Sequence, residues 1–234
     1  MEFILGDCLE ELEKLDNDSV SLFVLDLPFG CTQKKWDIKI DLQKLWRLIK
    51  LKIKREGVCL FFGTAKFGYK LIESNPEWFA YDLIWQKSRP TGFLNAKVAP
   101  LRIHETIYVF KNSSGVYNPQ MIKREKPLVQ KRKKKMRDGL YNQYSELEEV
   151  TYTHKYPNSI LEFASVHKPI HSTQKPVPLL EYLILTYSNE TDLVVDPCAG
   201  SFSTAIACQN TWRQFVGIEM DKDIYEKSIT YFSL

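Results

Sequence analysis

The chain has 234 residues, 44% hydrophobic and 13% aromatic, with a formal net charge of +3. That composition supports one α/β domain with room for a small insertion, and no apolar run approaches the roughly 20 residues that cross a bilayer. Its five cysteines, Cys8, Cys31, Cys59, Cys198 and Cys208, are scattered without a C-x-x-C pair, which argues for a reducing compartment and against a disulfide framework or a metal site.

The opening stretch MEFILGDCLEELEKL is acidic and lacks the basic start and apolar centre of a signal peptide, so a cytoplasmic protein is expected. Within it FILG (3–6) predicts a short strand and CLEELEKL a helix. VSLFVLDLP (20–28) is nearly all apolar, as a parallel strand covered on both faces requires. DLQKLWRLIKLKIK (41–54) carries Leu42, Leu45, Ile49 and Ile53 at helical spacing with a basic opposite face. GVCLFFG (57–63) predicts a strand and TAKFGYKLIES a helix, while FAYDLIWQK (79–87) and HETIYVFK (104–111) alternate like strands. Residues 112–165 break this rhythm: they are polar, basic and irregular, with Gly115, Pro119, Pro127, Gly139 and Pro157. The alternation resumes in PVPLLEYLILTYS (176–188), a helix with proline in its first turn. DLVVDP (192–197) is then a strand, SFSTAIACQN (201–210) a helix, RQFVGIEMD (213–221) a strand and KDIYEKSITYF a last helix. Strands alternating with helices predict a doubly wound parallel α/β sheet. Residues 1–111 and 166–234 form its two halves, and 112–165 is an insertion.

In such sheets ligands sit beyond the carboxyl ends of the strands. Asp7, Asp26, Asp196 and Glu219 each follow or end a predicted strand, so one rim gathers carboxylates. VVDPCAGSFSTAIA reads as strand, tight turn and helix start, with Gly200 admitting a ligand close to the backbone. It is not G-x-G-x-x-G, which weighs against a nicotinamide dehydrogenase. Glu219, about 20 residues on, stands where an acid takes ribose hydroxyls. Together they suggest a nucleoside-containing cofactor that needs no phosphate cradle.

The second rim motif is DLPF, residues 26–29. If the substrate carries an amine on an aromatic ring, Asp26 can accept one N–H and the Leu27 carbonyl the other, with Pro28 helping to fix the chain direction. Two acceptors raise the lone-pair character of that nitrogen, and Phe29 offers a face on which a base can stack. The segment KREKPLVQKRKKKMR (123–137) is basic at nine positions and acidic at one, which points to a polyanion.

The chain resembles the S-adenosylmethionine-dependent DNA amino-methyltransferases, adenine-N6/cytosine-N4 type, in the β arrangement: a D-P-P-Y-type motif first, a target-recognition region next, the cofactor motif last. DLPF and VVDPCAG lie 170 residues apart in that order, and GDCLEEL, YDLIWQK, RIHETIYVFKN, YPNSILEF, HSTQKPVPLLEYLI and FVGIEMDKDIY resemble further family blocks. The resemblance implies a Rossmann-like methyltransferase sheet with circularly permuted motif order. It implies catalysis by Asp26, Leu27, Pro28 and Phe29, with methyl transfer direct from the sulfonium to the target nitrogen. Asp7 and Cys8 would lie near the cofactor adenine. Asp26, Asp196, Cys198, Ala199, Gly200 and Ser201 would border its methionine and ribose part, and Glu219 with Met220 its ribose. His171, Ser172, Thr173 and Lys175 would approach the methionine end, with Lys175 a partner for its carboxylate. The amine of a paired base is inaccessible, so a double-stranded DNA target must be flipped out. Lys123, Arg124, Lys131, Arg132, Lys133, Lys134 and Lys135 would hold phosphates, and Lys87, Arg89 and Asn95 would stand near the extruded base. An acid at the first catalytic position mostly accompanies adenine in the family, which favours N6 methylation over cytosine N4.

The family usually has proline where Leu27 stands and a second glycine where Phe202 stands. Phe202 narrows the cofactor pocket unless its side chain points away, which keeps open an inactive nucleic-acid-binding subunit. The basic segment suits RNA as well as DNA. The family also admits a homodimer and a cognate restriction endonuclease as partners.

Overall fold

A computed structural model describes residues 1–28, 40–135, 144–167, 169 and 174–232. It forms two compact units, Met1–Asn118 with Ser159–Leu234, and Pro119–Asn158. The first contains β1 (Glu2–Leu5), α1 (Cys8–Lys14), β2 (Val20–Leu25), α2 (Leu42–Lys52), β3 (Ile53–Gly63), α3 (Ala65–Ser74), β4 (Phe79–Thr91), a 3₁₀ turn (Phe93–Asn95) and β5 (Arg102–Lys111). After the second unit, which holds β6 (Ile122–Lys135) and β7 (Tyr144–Lys155), it continues with β8 (Ile160–Glu162), α4 (Val177–Tyr187), β9 (Leu193–Asp196), α5 (Ser203–Asn210), β10 (Gln214–Glu219) and α6 (Lys222–Phe232).

The strands of the first unit make one sheet in the order β1-β10-β9-β2-β3-β5-β4-β8. β2 is central, and all six of its residues are buried. Successive side chains of a strand point to opposite faces, and β2 uses both. Leu22 and Val24 pack with Leu179, Leu183 and Ala205 of α4 and α5. Phe23 and Leu25 pack with Leu12, Leu45, Ile49 and Leu71 of α1, α2 and α3. The near-continuous apolar run in the sequence is thus the signature of a strand with helices on both faces.

From β1 across to β3 every neighbouring pair is parallel. β5 departs from the expected parallel pattern, running antiparallel to both β3 and β4. Only residues 92–101 join β4 to β5, too few for the crossover of about a dozen residues that parallel pairing needs. β4 therefore points the same way as β2 and β3, and β5 brings its amino end to the rim where the others bring their carboxyl ends.

Residues 112–165, irregular by sequence pattern, contain a long antiparallel pair instead, β6 with β7. Lys131 and Arg132 of β6 sit opposite Glu149 and Glu148 of β7 at 3.2 and 3.7 Å. The register slips between Lys123 and Leu128, where Pro127 offers no N–H to the ladder.

Candidate active site

The parallel strands β1, β2, β9 and β10 end around a cleft of about 360 Å³ lined by Asp7, Asp26, Asp196 and Glu219. Asp7 follows β1 and caps α1: its Oδ1 accepts the N–H groups of Leu9 and Glu10 at 2.8 and 3.2 Å. Asp196 closes β9 with only 5% of its surface exposed. Its Oδ2 accepts from the Thr204 hydroxyl at 2.6 Å and its Oδ1 from the Cys198 N–H at 3.2 Å. Burial pushes its carboxyl up to about 7 despite those two donors, and the nearby Asp26 and Glu219 charges add to the rise. Glu219 closes β10. Its Oε2 accepts the Gly200 N–H at 2.9 Å and its Oε1 the Asp221 N–H at 2.8 Å, while burial raises its carboxyl above the ordinary range. Gly200 takes a positive φ of 51°, a conformation open to glycine at little cost.

Cys8, Cys198, Ala199, Ser201 and Met220, all expected at the cofactor, line the same cleft. The Cys8 and Cys198 thiols hydrogen-bond each other, which holds the Cys8 thiol below its ordinary range and drives Cys198 well above it. Pro28 is at the wall, and Leu27 packs its side chain into the core. Phe29, His171, Ser172 and Thr173 lie outside the described residues, as do the side chains of Lys133, Lys134 and Lys135.

Lys175 lines the cleft but takes partners that the sequence does not suggest. Its Nζ lies 2.5 Å from Asp26 Oδ2 and 3.5 Å from Glu105 Oε2, over the ring of Phe62. Burial disfavours the ammonium, yet Asp26 and Glu105 outweigh it and raise the Lys175 pKa. Glu105 also pairs with Lys87; burial opposes its charge, and the two lysines nevertheless hold its carboxyl below the ordinary range. Lys87, expected near the flipped base, is thus largely buried and committed to Glu105. Asp26, Lys175, Glu105 and Lys87 form one alternating chain of charges. Glu105 is missing from the expected rim acids because those all follow carboxyl ends of strands, whereas Glu105 reaches the rim from the amino end of β5, which runs against its neighbours. The signal available was an acid opening an otherwise apolar run in HETIYVF.

Phe202, which threatened to narrow the cleft, is fully buried in the core instead. Its ring meets Phe3 at 4.9 Å and Tyr225 at 5.8 Å. Arg89 and Asn95 are exposed, near the end of β4 and in the 3₁₀ turn. In the second unit Lys123, Lys131 and Arg132 are exposed, and Arg124 Nε donates to the His154 carbonyl at 3.3 Å.

A family model described as DNA methylase matches residues 20–230. Type II methyltransferase M.HinfI of Haemophilus influenzae is 26% identical over 262 residues, covering 96% of this chain and 67% of that protein. DNA adenine methyltransferase YhdJ of Escherichia coli K12 is 27% identical over 235 residues, covering 94% of this chain and 78% of that one. Among solved structures, the M1.HpyAVI–SAM complex superposes with a TM-score of 0.64 at 21% identity over 98% of each chain. The cytosine-N4-specific PvuII DNA methyltransferase superposes with a TM-score of 0.70 at 17% identity, covering 98% of this chain and 85% of that one.

Proposed function

The chain belongs to the DNA methylase family that methylates adenine N6 or cytosine N4 with S-adenosylmethionine, and from that premise we propose that it methylates the N6 amine of an adenine extruded from duplex DNA. The observation that carries this reading is the position of Asp26, on the wall of the cleft that also holds Asp196 and Glu219. A donor site and an amine-gripping carboxylate share one cavity.

The residues present suit the cofactor. A ring of carboxylates favours a ligand bearing sulfonium and ammonium charge. Glu219 already accepts two backbone N–H groups, but a carboxylate has about four lone-pair sites, so capacity remains for a ribose diol. Asp7 would stand near the adenine and Asp196 near the methionine portion. Bound there, S-adenosylmethionine supplies an electrophilic methyl group.

The chain's own contribution is positional. Asp26 accepts one N–H of the target amine and the Leu27 carbonyl the other, turning the nitrogen lone pair toward the cleft. Lys175, on Oδ2, holds the Asp26 carboxylate in one orientation. Phe29 would stack on the extruded base, and the basic second unit would hold phosphates. Asp26 at the first catalytic position supports adenine, as does the adenine activity for which the Escherichia coli relative is named. The Type II names of other relatives support a restriction-modification setting.

The test is to express the protein in cells without other DNA methylases and sequence the modified bases. N6-methyladenine at one short motif is expected, and none from an Asp26→Ala protein that still binds S-adenosylmethionine. N4-methylcytosine in its place would overturn the choice of base. Transfer of tritiated methyl groups to RNA but not to duplex DNA would overturn the choice of polymer.

A further inference from the structure

Between β4 and β5 the chain makes a knuckle that nothing in the cleft chemistry uses. Residues 91–100 are all exposed, yet three of them are large and apolar: Phe93 is 68%, Leu94 102% and Val98 84% exposed. The backbone is not loose. The Asn95 N–H donates to the Gly92 carbonyl at 2.9 Å, and the N–H groups of Val98 and Ala99 both donate to the Asn95 carbonyl, at 3.0 and 2.9 Å. Gly92 starts the turn at φ 91° with open space around its Cα. The result is an internally bonded turn that holds apolar side chains outward, away from any core. Scattered exposed apolar residues are ordinary; three on one short bonded turn are a surface in want of a partner.

Position and charge identify the partner. β4 runs parallel to β2, so the knuckle rises from the same rim as Asp26. Its root is tied to the catalytic corner by contact: Lys87, five residues before Gly92, pairs with Glu105, Glu105 with Lys175, and Lys175 with Asp26. From Ser88 to His104 the sequence contains Arg89, Lys97 and Arg102 and no acid. An apolar tip flanked by cations matches stacked base pairs bordered by phosphates.

We propose that Phe93 and Leu94 form a wedge that enters the duplex where the target base has left, filling the gap in the stack, with Arg89, Lys97 and Arg102 on the flanking phosphates. This rests on the reading that the target base is extruded from duplex DNA. The wedge offsets lost stacking, and extrusion limits the rate most where a base pair must also break, so its loss tells most on a paired target. A mispaired or unpaired target is cheaper to extrude.

The experiment compares two oligonucleotide duplexes carrying the motif found by modified-base sequencing. One is fully paired, and the other has an abasic position opposite the target. The joint variant Phe93→Ala, Leu94→Ala should lose tenfold or more in methyl-transfer rate on the paired duplex. It should stay within about twofold of the parent on the abasic duplex. Both side chains are exposed, so folding and S-adenosylmethionine binding should match the parent. Equal losses on both duplexes, or none on either, would overturn the wedge. So would loss of a dimer in light scattering with both rates unchanged, which would assign the knuckle to a second copy of the chain. If the parent protein methylates neither duplex, the duplex-methylation reading itself falls and the wedge with it, an outcome the parent alone reveals.

Discussion

At the scale of single residues the rim divides into acids the cofactor would meet and acids that organise the corner. Asp196 belongs to the first group. With its carboxyl raised to about 7 by burial, it is substantially protonated at pH 6. A cation brought against it favours the carboxylate, so the pKa must fall on binding and a proton must leave. Affinity for S-adenosylmethionine should therefore rise with pH up to about 7 and level off above it. Calorimetry from pH 5.5 to 8 should show that slope in the parent and a weaker, flatter response in Asp196→Asn; a flat parent profile would remove Asp196 from the ligand. Glu105 belongs to the second group, because it touches Lys87 and Lys175 rather than anything that reacts. Glu105→Gln should lower kcat about tenfold, the scale of one charge-assisted hydrogen bond. KM for the cofactor should hold within about twofold, and Glu105→Asp should restore part of the rate. A loss carried by KM alone would make Glu105 merely structural. Asp26, Asp196 and Glu219 were legible in the sequence because each ends an apolar run at a parallel rim. Glu105 was not, because strand direction is invisible in the local pattern and only the short 92–101 connection hints at it.

At the scale of elements the turn into α5 shows why pocket shape resists sequence reading. Phe202 adopts φ 54°, ψ 27°, a left-handed conformation that costs a residue with a Cβ roughly 1–2 kcal/mol. What makes it tolerable lies on another strand. Gly217 of β10 has no side chain, and a Cβ there would come 2.8 Å from the Phe202 ring and 2.5 Å from the Phe215 ring. The missing side chain on β10 leaves room for the ring under the turn. Phe202→Gly should relieve the backbone yet lose a buried ring worth about 3–5 kcal/mol, a net destabilisation of roughly 1–4 kcal/mol. Thermal unfolding should move down by several degrees while cofactor affinity stays within about threefold, since Phe202 packs in the core rather than against the cleft. A glycine variant more stable than the parent would contradict this packing account. The sequence showed a bulky residue at a position where the family usually has glycine; only the pairing with Gly217 decides which way it points. β6 and β7 were illegible for the opposite reason. They carry few apolar residues, so no period of two marks them, and cross-strand charge pairs stand where apolar alternation ordinarily would.

At the scale of the whole molecule, charge and chemistry are divided between units. The carboxylate rim lies in the unit of Met1–Asn118 and Ser159–Leu234, and the run of nine basic positions lies in Pro119–Asn158. The doubly wound class was readable because its strands alternate with amphipathic helices, and the basic segment because nothing balances it locally in sequence. The cross-strand acids change that second reading: Glu148 and Glu149 face Arg132 and Lys131, so part of the positive charge is already answered. Exposed pairs of this kind contribute about 0–1 kcal/mol, and phosphates can compete for both cations. Ile122 and Lys155 are directly opposite in the antiparallel pair, which puts the two chain ends only about 5 Å apart. Replacing 123–154 with a short Gly-Ser link should therefore leave the sheet of the first unit closed. The shortened protein should unfold within a few degrees of the parent and bind S-adenosylmethionine within about twofold, because no cleft residue is removed. Its affinity for duplex DNA should fall, and the plot of log affinity against log salt should become shallower by roughly one for each phosphate the protein no longer neutralises. If the salt slope is unchanged, the basic hairpin does not hold the backbone, and the cations around β4 and its knuckle must account for the whole electrostatic share of binding.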